Sequence, residues 1–356
     1  MTRAIGKILA AYLLVTLGLG CGEDPDRPEV VAYVSADRAI AIPVLEAFTR
    51  ETGIRVRPLF DTEATKTTGL ANRIRRERDR PRADVFWSSE PFAVEQLASE
   101  GLLAPAVHPL LESHPREWRR PDDRWFAFAG RARVIAFDPE RIPVEDLPGF
   151  WSDLVDPRWN GRIAMADPRF GTTRGHIGAI EVLGELGPSK LSFEDWIEGL
   201  GRNRVRLMPG GNAATVDAVV RGEVLLGLTD SDDVRAVRRR GVEIGAIAPR
   251  HLAEGVPDGG TMLVPNAAGV VEGSEHPDLA ARLVAFLASA EVERMLHDSP
   301  SGNLPIAHPT ILDDEPEAAD SIRAPDPLVV SIPDVAGGMD RAVDSAMDRF
   351  LDRGEP

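Results

Sequence analysis

The chain of 356 residues is long enough for two domains of ordinary size, and 43% hydrophobic residues supply sizeable cores. A formal net charge of −16 argues against a nucleic-acid partner, whose phosphates need a basic face. The single cysteine leaves no disulfide within the chain, so stability has to come from packing.

Met1–Lys7 carries Arg3 and Lys7, Ile8–Gly20 is an uncharged apolar run, and Gly22–Pro28 is polar. That order is a secretory signal, and the apolar run falls short of the roughly 20 residues that span a bilayer. Cys21 stands at the cleavage point, in Leu17-Gly18-Leu19-Gly20-Cys21, which resembles the bacterial lipoprotein pattern except at Gly18, where a branched aliphatic residue is usual. Residues 1–20 are therefore predicted to be a signal peptide, and 21–28 a tether lipidated on Cys21. This would make the product a periplasmic, membrane-anchored lipoprotein. The alternative is an ordinary signal peptide that happens to contain a cysteine.

Glu29–Ser35 reads as a buried parallel strand. Asp37–Thr52 places Ile40, Val44, Leu45 and Phe48 on one helix face, and Gly53 ends it. Ile54–Phe60 gives a second strand, Thr67–Arg78 a second helix and Ala83–Trp87 a third strand. The alternation predicts a parallel sheet with helices on both faces, which binds ligands beyond the carboxyl ends of its strands. The loops there are Ser35-Ala36-Asp37, Asp61-Thr62-Glu63 and Ser88-Ser89-Glu90, each offering a carboxylate and a hydroxyl. Helix capping is the competing use for such residues. The arginine runs at Arg73–Arg82 and Arg238–Arg240 read as solvated faces.

A second unit begins with strand Ala132–Phe137 and a short helical segment at Leu147–Leu154. Strand Arg162–Ala166 leads through Asp167–Thr173 into a helix from about Arg174 to Leu186. Gly171, Thr172 and Thr173 at that start form an anion cradle of free N–H groups, hydroxyls and the positive dipole end. Val205–Met208 is a strand followed by Gly210-Gly211-Asn212 and helix Ala213–Arg221. Strand Val224–Leu228 ends in Thr229-Asp230-Ser231-Asp232-Asp233. Thr261–Pro265 and Ala267–Val271 return to strand, His276–Ala290 to helix. A proline- and acid-rich tail from Pro300 closes with an amphipathic helix at Val335–Leu351. The expected fold is α/β in two lobes, 29–130 with 261–304 and 131–260 with 305–356, each a mixed or parallel sheet flanked by helices, with a hinge and a central cleft.

Several segments resemble the periplasmic solute-binding proteins of ABC importers (type II fold), in the ferric-iron and thiamine-like branch. They are Ala83-Asp-Val-Phe-Trp-Ser, Gly130-Arg-Ala-Arg-Val-Ile, Asp156-Pro-Arg-Trp-Asn-Gly-Arg-Ile, Arg221-Gly-Glu-Val and Gly227-Leu-Thr-Asp. The resemblance implies a monomer that closes on a small solute and delivers it to permease and ATPase subunits, with no catalytic residue. It puts Asp37 where ferric-binding relatives hold a histidine, and Ser89-Glu90 near their acidic ligand. Arg131 falls where they hold the accompanying anion, Thr172 and Thr173 at their phosphate- or carbonate-contacting turn, and Asn212 at an asparagine that starts a helix. The departure is at Asp230-Ser231-Asp232-Asp233, where those relatives carry adjacent tyrosines. The mature chain keeps only Tyr33, inside the first strand, so a tyrosinate pair is impossible.

The ligand-binding set expected from the residues and the resemblance is Ser35, Asp37, Glu63, Ser89, Glu90, Arg131, Gly171, Thr172, Thr173, Asn212, Asp230 and Asp232. Within it Asp37, Glu90, Asp230 and Asp232 would hold a metal, since hard cations prefer oxygen. Family weight favours ferric iron with phosphate or carbonate as helper anion, and no further cofactor. A phosphorylated sugar or phosphonate on the anion cradle is the alternative, as is a thiamine- or polyamine-like cation among the carboxylates. A secreted hydrolase is remote: the chain lacks His-Glu-x-x-His, Gly-x-Ser-x-Gly and P-loop motifs, and its histidines are scattered singly. On this reading Asp230→Ala would abolish solute binding and leave the apo form's melting temperature nearly unchanged.

Overall fold

The computed structural model describes residues 27–61, 67–312, 322, 324, 326–328 and 330–351. The signal segment, Cys21, Glu63 and most of the tail before the last helix lie outside the described residues. Among the described residues no helix is long and apolar enough to cross a membrane.

The first lobe is built on β1 (Glu29–Val34), β2 (Arg55–Phe60), β3 (Val85–Ser88), the short β4 (Leu103–Ala104) and the amino-terminal half of β5 (Phe126–Phe137). β1 lies between β2 and β3, parallel to both. The second lobe holds β6 (Ile163–Ala166), the hairpin β7 (Glu185–Leu186) and β8 (Leu191–Ser192), β9 (Arg206–Met208), β10 (Leu226–Asp230) and β11 (Gly245–Ile247). The chain then returns through β12 (Leu263–Val271). The strand order is β2-β1-β3-β12-β5-β10-β6-β9.

β5 belongs to both lobes. Its residues 126–132 pair antiparallel with β12, and 133–137 pair antiparallel with β10. Crossing strands of this kind make a hinge: Arg133 N–H donates to Met262 O (2.9 Å), and the Thr261 hydroxyl donates to Arg133 O (2.6 Å). All twelve residues of β5 are buried. The strand expected from Ala132 starts earlier because Gly130, Arg131 and Arg133 interrupt the apolar run on paper, while the fold supplies partners for both charges.

Each lobe has its own core. Val30, Phe48, Trp87, Phe126 and Phe128 pack under helix Pro277–Leu287 in the first. Trp151, Ile163, Trp196 and Leu226 fill the second, where Trp196 Nε1 donates to Trp151 O (2.8 Å). Full burial of side chains of this size is worth about 1.5–3 kcal/mol each. A third cluster spans the hinge: Phe92 of the first lobe meets Ala179 of the second with Met262, Val264 and Met339. The last helix, Ile332–Leu351, covers that cluster, and Gln96 Nε2 of the first lobe donates to its Ala336 O (3.0 Å).

The helix Phe92–Ser99 was not visible in the sequence pattern. It is short, follows Pro91, and buries Phe92, Ala93, Val94, Leu97 and Ala98 around most of its circumference, so it carries no amphipathic stripe. Likewise Pro277–Leu287 and Ala290–Asp298 are separate helices, the second capped by Ser289, whose hydroxyl accepts from Val292 N–H (3.3 Å). Ile306 and Ala307 are buried against the first lobe, where their N–H groups donate to the Glu293 carboxylate (2.9 and 3.1 Å).

Candidate functional site

The carboxyl ends of β1 and β3 face those of β6, β9 and β10 across a cavity of about 190 Å³. Asp37, Ser89, Asn266, Ser301 and Asn303 line it from the first lobe. Asp167, Phe170, Gly171–Thr173, Asn212, Asp230, Asp232 and Asp233 line it from the second, and Arg131 of the hinge strand forms part of the wall. Two helices, Gly171–Leu183 and Gly211–Val220, start on this wall. Each begins with a glycine at positive φ (59° and 74°), a left-handed turn that glycine adopts without strain, and the first residues of both helices line the cavity.

Asp230 is the hub of the second-lobe wall. Its Oδ1 accepts from Arg133 Nη1 at 2.6 Å. Its Oδ2 accepts from the Thr172 hydroxyl (2.5 Å) and Asn212 Nδ2 (2.8 Å), with Arg131 Nε 3.4 Å away. Arg133 Nη1 also donates to Thr172 Oγ1 (3.2 Å), and the Thr173 hydroxyl donates to Asn212 Oδ1 (3.3 Å). Arg133 is fully buried and Asp230 is 2% exposed. This carboxylate is the counter-charge of a buried guanidinium, which speaks against the expectation that the apo fold is indifferent to its removal.

Arg131 joins the lobes. Its Nη2 donates to the Ser89 carbonyl of the first lobe, while Nη1 lies 3.8 Å from Asp232 Oδ2 of the second. Burial works against its charge, and the carboxylates of Asp232, Asp230, Asp233 and Asp37 more than offset this, raising its pKa above the ordinary arginine value. Asp37 heads its helix but makes no capping bond with its side chain, and it lines the cavity. Carboxylate oxygens of Asp230, Asp232 and Asp233 lie within 4.8 Å of one another, close enough to share one metal ion.

Two expected site residues fall elsewhere. Glu90 does not line the cavity: its carboxylate accepts from Phe92 N–H (2.6 Å) and Ala93 N–H (3.2 Å) and so caps its own helix. Burial pushes that carboxyl above its usual range, against the pull of Arg174 and the two N–H groups. As a metal ligand it is corrected to a helix cap. Ser35 is a support, its Oγ accepting from Ser89 N–H (2.9 Å) and the Thr67 hydroxyl (3.1 Å). Glu63 lies outside the described residues. Tyr33 is turned away from the cavity: its hydroxyl donates to Glu77 Oε2 (2.7 Å), and burial with that bond raises it to about 12.

Sequence reasoning missed Arg133, Asp167, Asn266, Ser301 and Asn303. A signal existed for Arg133, because residues two apart on a strand share a face, so Arg131 and Arg133 form a charged pair within an apolar strand. The asparagines carried none. His176 and His251, distant in the chain, meet in the second lobe: their Nε2 atoms are 2.8 Å apart and His251 Nδ1 lies 2.9 Å from Gly260 O. That carbonyl can only accept, so His251 Nδ1 carries the proton, His251 Nε2 accepts, and His176 Nε2 donates. Burial lowers His251 to about 3; burial, Arg133 and the facing ring hold His176 well below its ordinary value.

A two-lobed α/β molecule with its polar residues gathered at an interlobe cavity is a solute-binding architecture. Residues 80–323 match the bacterial extracellular solute-binding protein family, and the chain belongs to it. It is 28% identical over 300 residues to the major ferric iron-binding protein of Neisseria meningitidis, covering 82% of this chain and 84% of that one. It is 27% identical over 312 residues to iron uptake protein A1 of Synechocystis sp., covering 82% of each. Among solved structures, iron-bound HitA from Pseudomonas aeruginosa superposes with a TM-score of 0.75 at 26% identity, over 90% of this chain and 99% of that one.

Proposed function

We propose that this protein is the extracytoplasmic receptor of an ABC importer, held to a membrane by a lipid on Cys21, and that its cargo is ferric iron carried with an anion. The lobes, 29–130 with 261–304 and 131–260 with the final helix, close on the cargo as a monomer and present it to a permease driven by ATPase subunits. The observation that carries the cargo assignment is one cavity holding both halves of such a ligand. A cluster of carboxylates within 4.8 Å of one another stands beside Arg131 and the amino-terminal turn at Gly171–Thr173. Ferric iron is a hard cation suited to oxygen ligands. Asp232 and Asp233, with Asp37 facing them, would supply oxygens; Asp230 holds the wall; Arg131 and the helix N–H groups would take the anion. The names of the relatives support the reading. The chemistry departs from a tyrosinate pair, because the only tyrosine among the described residues is Tyr33, committed to Glu77.

A second reading is a phosphorylated sugar. It is favoured by the saturation of Asp230, which already accepts from Arg133, Thr172 and Asn212. Thermal unfolding with ferric citrate, divalent metals and sugar phosphates separates the two. A ligand at 100 times its Kd adds about 2.7 kcal/mol, a rise of about 5–11 °C for a domain of 150–250 residues. A rise with ferric citrate that chelation abolishes supports iron; a rise with sugar phosphate alone replaces it.

A further inference from the structure

The run Arg73–Arg82 holds six arginines and two acids, in a chain whose formal net charge is −16. It covers the end of the helix Thr68–Arg76 and the turn into β3. Two of the arginines are paired with acids of the first lobe: Arg73 Nε lies 2.8 Å from Glu77 Oε1, and Arg75 Nη2 lies 2.7 Å from Glu100 Oε1. Arg76, Arg78, Arg80 and Arg82 are exposed and make no ion pair among the described residues. Asp79 within the run, and Glu272 beside Arg78 and Arg82, offset only part of that charge. This face stands at the edge of the first lobe where the chain enters it. Arg55 N–H donates to Pro28 O (2.8 Å) and Arg27 Nε to Gly53 O (2.6 Å), which fixes residues 27 and 28 at the foot of β1 and β2. Asp84, two residues after Arg82, is bonded to the same foot. Its N–H donates to Val31 O (2.8 Å), and its Oδ2 accepts from Val31 N–H (2.8 Å). Adjacent strands lie about 4.8 Å apart, so the arginine turn and the point of entry are neighbours.

The cleft opens at the other, carboxyl end of the same parallel strands. From Cys21 to Pro28 the chain reaches at most about 25 Å, at about 3.6 Å per residue. A lipid on Cys21 therefore keeps the arginine face close to a bilayer. We propose that Arg76, Arg78, Arg80 and Arg82 form a membrane-docking face that binds anionic phospholipid headgroups beside the anchor and keeps the cleft clear of the bilayer. Guanidinium forks match pairs of phosphate oxygens, and a basic patch next to a covalent lipid is a second hold on a membrane. The rest of so acidic a chain is repelled by an anionic surface, so the arginines also fix which side approaches. The proposal rests on the receptor being anchored through Cys21, and its test does not use the anchor.

The elements of the fold begin at Glu29, so the mature chain from residue 21, with Cys21→Ser, is the protein to use. It is sedimented with vesicles of phosphatidylcholine alone and of equal parts phosphatidylcholine and phosphatidylglycerol. Low salt and high lipid are chosen, so that a hold too weak to survive membrane washing is still read. The chain should pellet with the phosphatidylglycerol vesicles, stay in solution with phosphatidylcholine alone, and be released as salt rises. An arginine near an anionic surface is worth about fivefold in binding, so the double variant Arg78→Gln/Arg80→Gln should bind about 30-fold more weakly. Arg239→Gln/Arg240→Gln makes the same charge change on exposed positions of the second lobe. It should alter binding less than about twofold, since charges beyond a Debye length are screened. An unchanged melting temperature in both double variants shows that the fold is kept. No pelleting with phosphatidylglycerol vesicles overturns the proposal and makes the run a solvated helix end. Equal losses from the two double variants also overturn it, because net charge then acts without a face. Failure of the anchor is read separately, from the absence of lipid on Cys21 in the protein purified from its own cells, and leaves this result standing.

Discussion

Asp230→Ala should be among the most destabilising single changes in the second lobe, even with no ligand present. Asp230 Oδ1 lies 2.6 Å from Arg133 Nη1, and both residues are buried. Without the carboxylate the guanidinium keeps only the Thr172 hydroxyl at 3.2 Å on that nitrogen. Breaking a buried pair from one side costs about 3–5 kcal/mol because the remaining charge is stranded. At about 2–4 °C per kcal/mol for a domain of 150–250 residues, the apo melting temperature should fall by about 6–20 °C. Arg133→Met in the same background removes the stranded charge and should restore about 2 kcal/mol, a coupling a double-mutant cycle reads directly. Asp233→Ala makes the contrast. Its carboxylate accepts from Thr229 at 3.3 Å on a partly exposed rim, and its loss should cost under about 1 kcal/mol. Urea and thermal unfolding of the four variants would decide it. An Asp230→Ala protein as stable as its parent, or strictly additive single and double changes, would refute the reasoning.

Three further outcomes follow from the same geometry. His251 is neutral in the fold and lowered to about 3, against an unfolded value near 6.5. Its contribution is therefore complete above pH 6.5 and lost as pH falls toward about 3, amounting to about 2 kcal/mol between pH 6.5 and 5. The stability gap between the parent and His251→Asn should narrow by that amount on acidification in urea titrations; a constant gap contradicts the neutral pair. Glu90→Ala should cost about 1 kcal/mol through the lost helix cap and leave ferric citrate affinity unchanged by calorimetry, whereas a lost affinity would return Glu90 to the site. Cys21→Ser should move the protein from the membrane pellet to the soluble fraction, and continued pelleting would remove the lipid anchor.

The parallel β1-β2-β3 unit was legible because β1 and β3 are short apolar runs, β2 is set off by Gly53 after a helix, and each helix shows one apolar face. The cavity wall was legible where it follows strand ends: Asp37, Ser89, Thr172, Thr173, Asn212, Asp230 and Asp232 all line it. What escaped detection depends on long-range pairing. Arg133 stands out beside Arg131 in an apolar strand, but its role is fixed only once Asp230 is placed beside it, and His176 and His251 read as single residues until the fold joins them. Asn266 and Asn303 sit in segments with no polar pattern, and their role comes from converging on Ala129 O at 2.6 and 3.2 Å. Glu90 misled because an acid after a strand suits a ligand and a helix cap equally well.

The most direct test of the cargo is the visible spectrum and metal content of the protein after loading with ferric citrate and removal of excess by gel filtration. Carboxylate ligation predicts stoichiometric ferric iron with no phenolate-to-iron charge-transfer band, and loss of that iron in Asp232→Ala. Protein that emerges without iron, or with a tyrosinate band, would contradict the account.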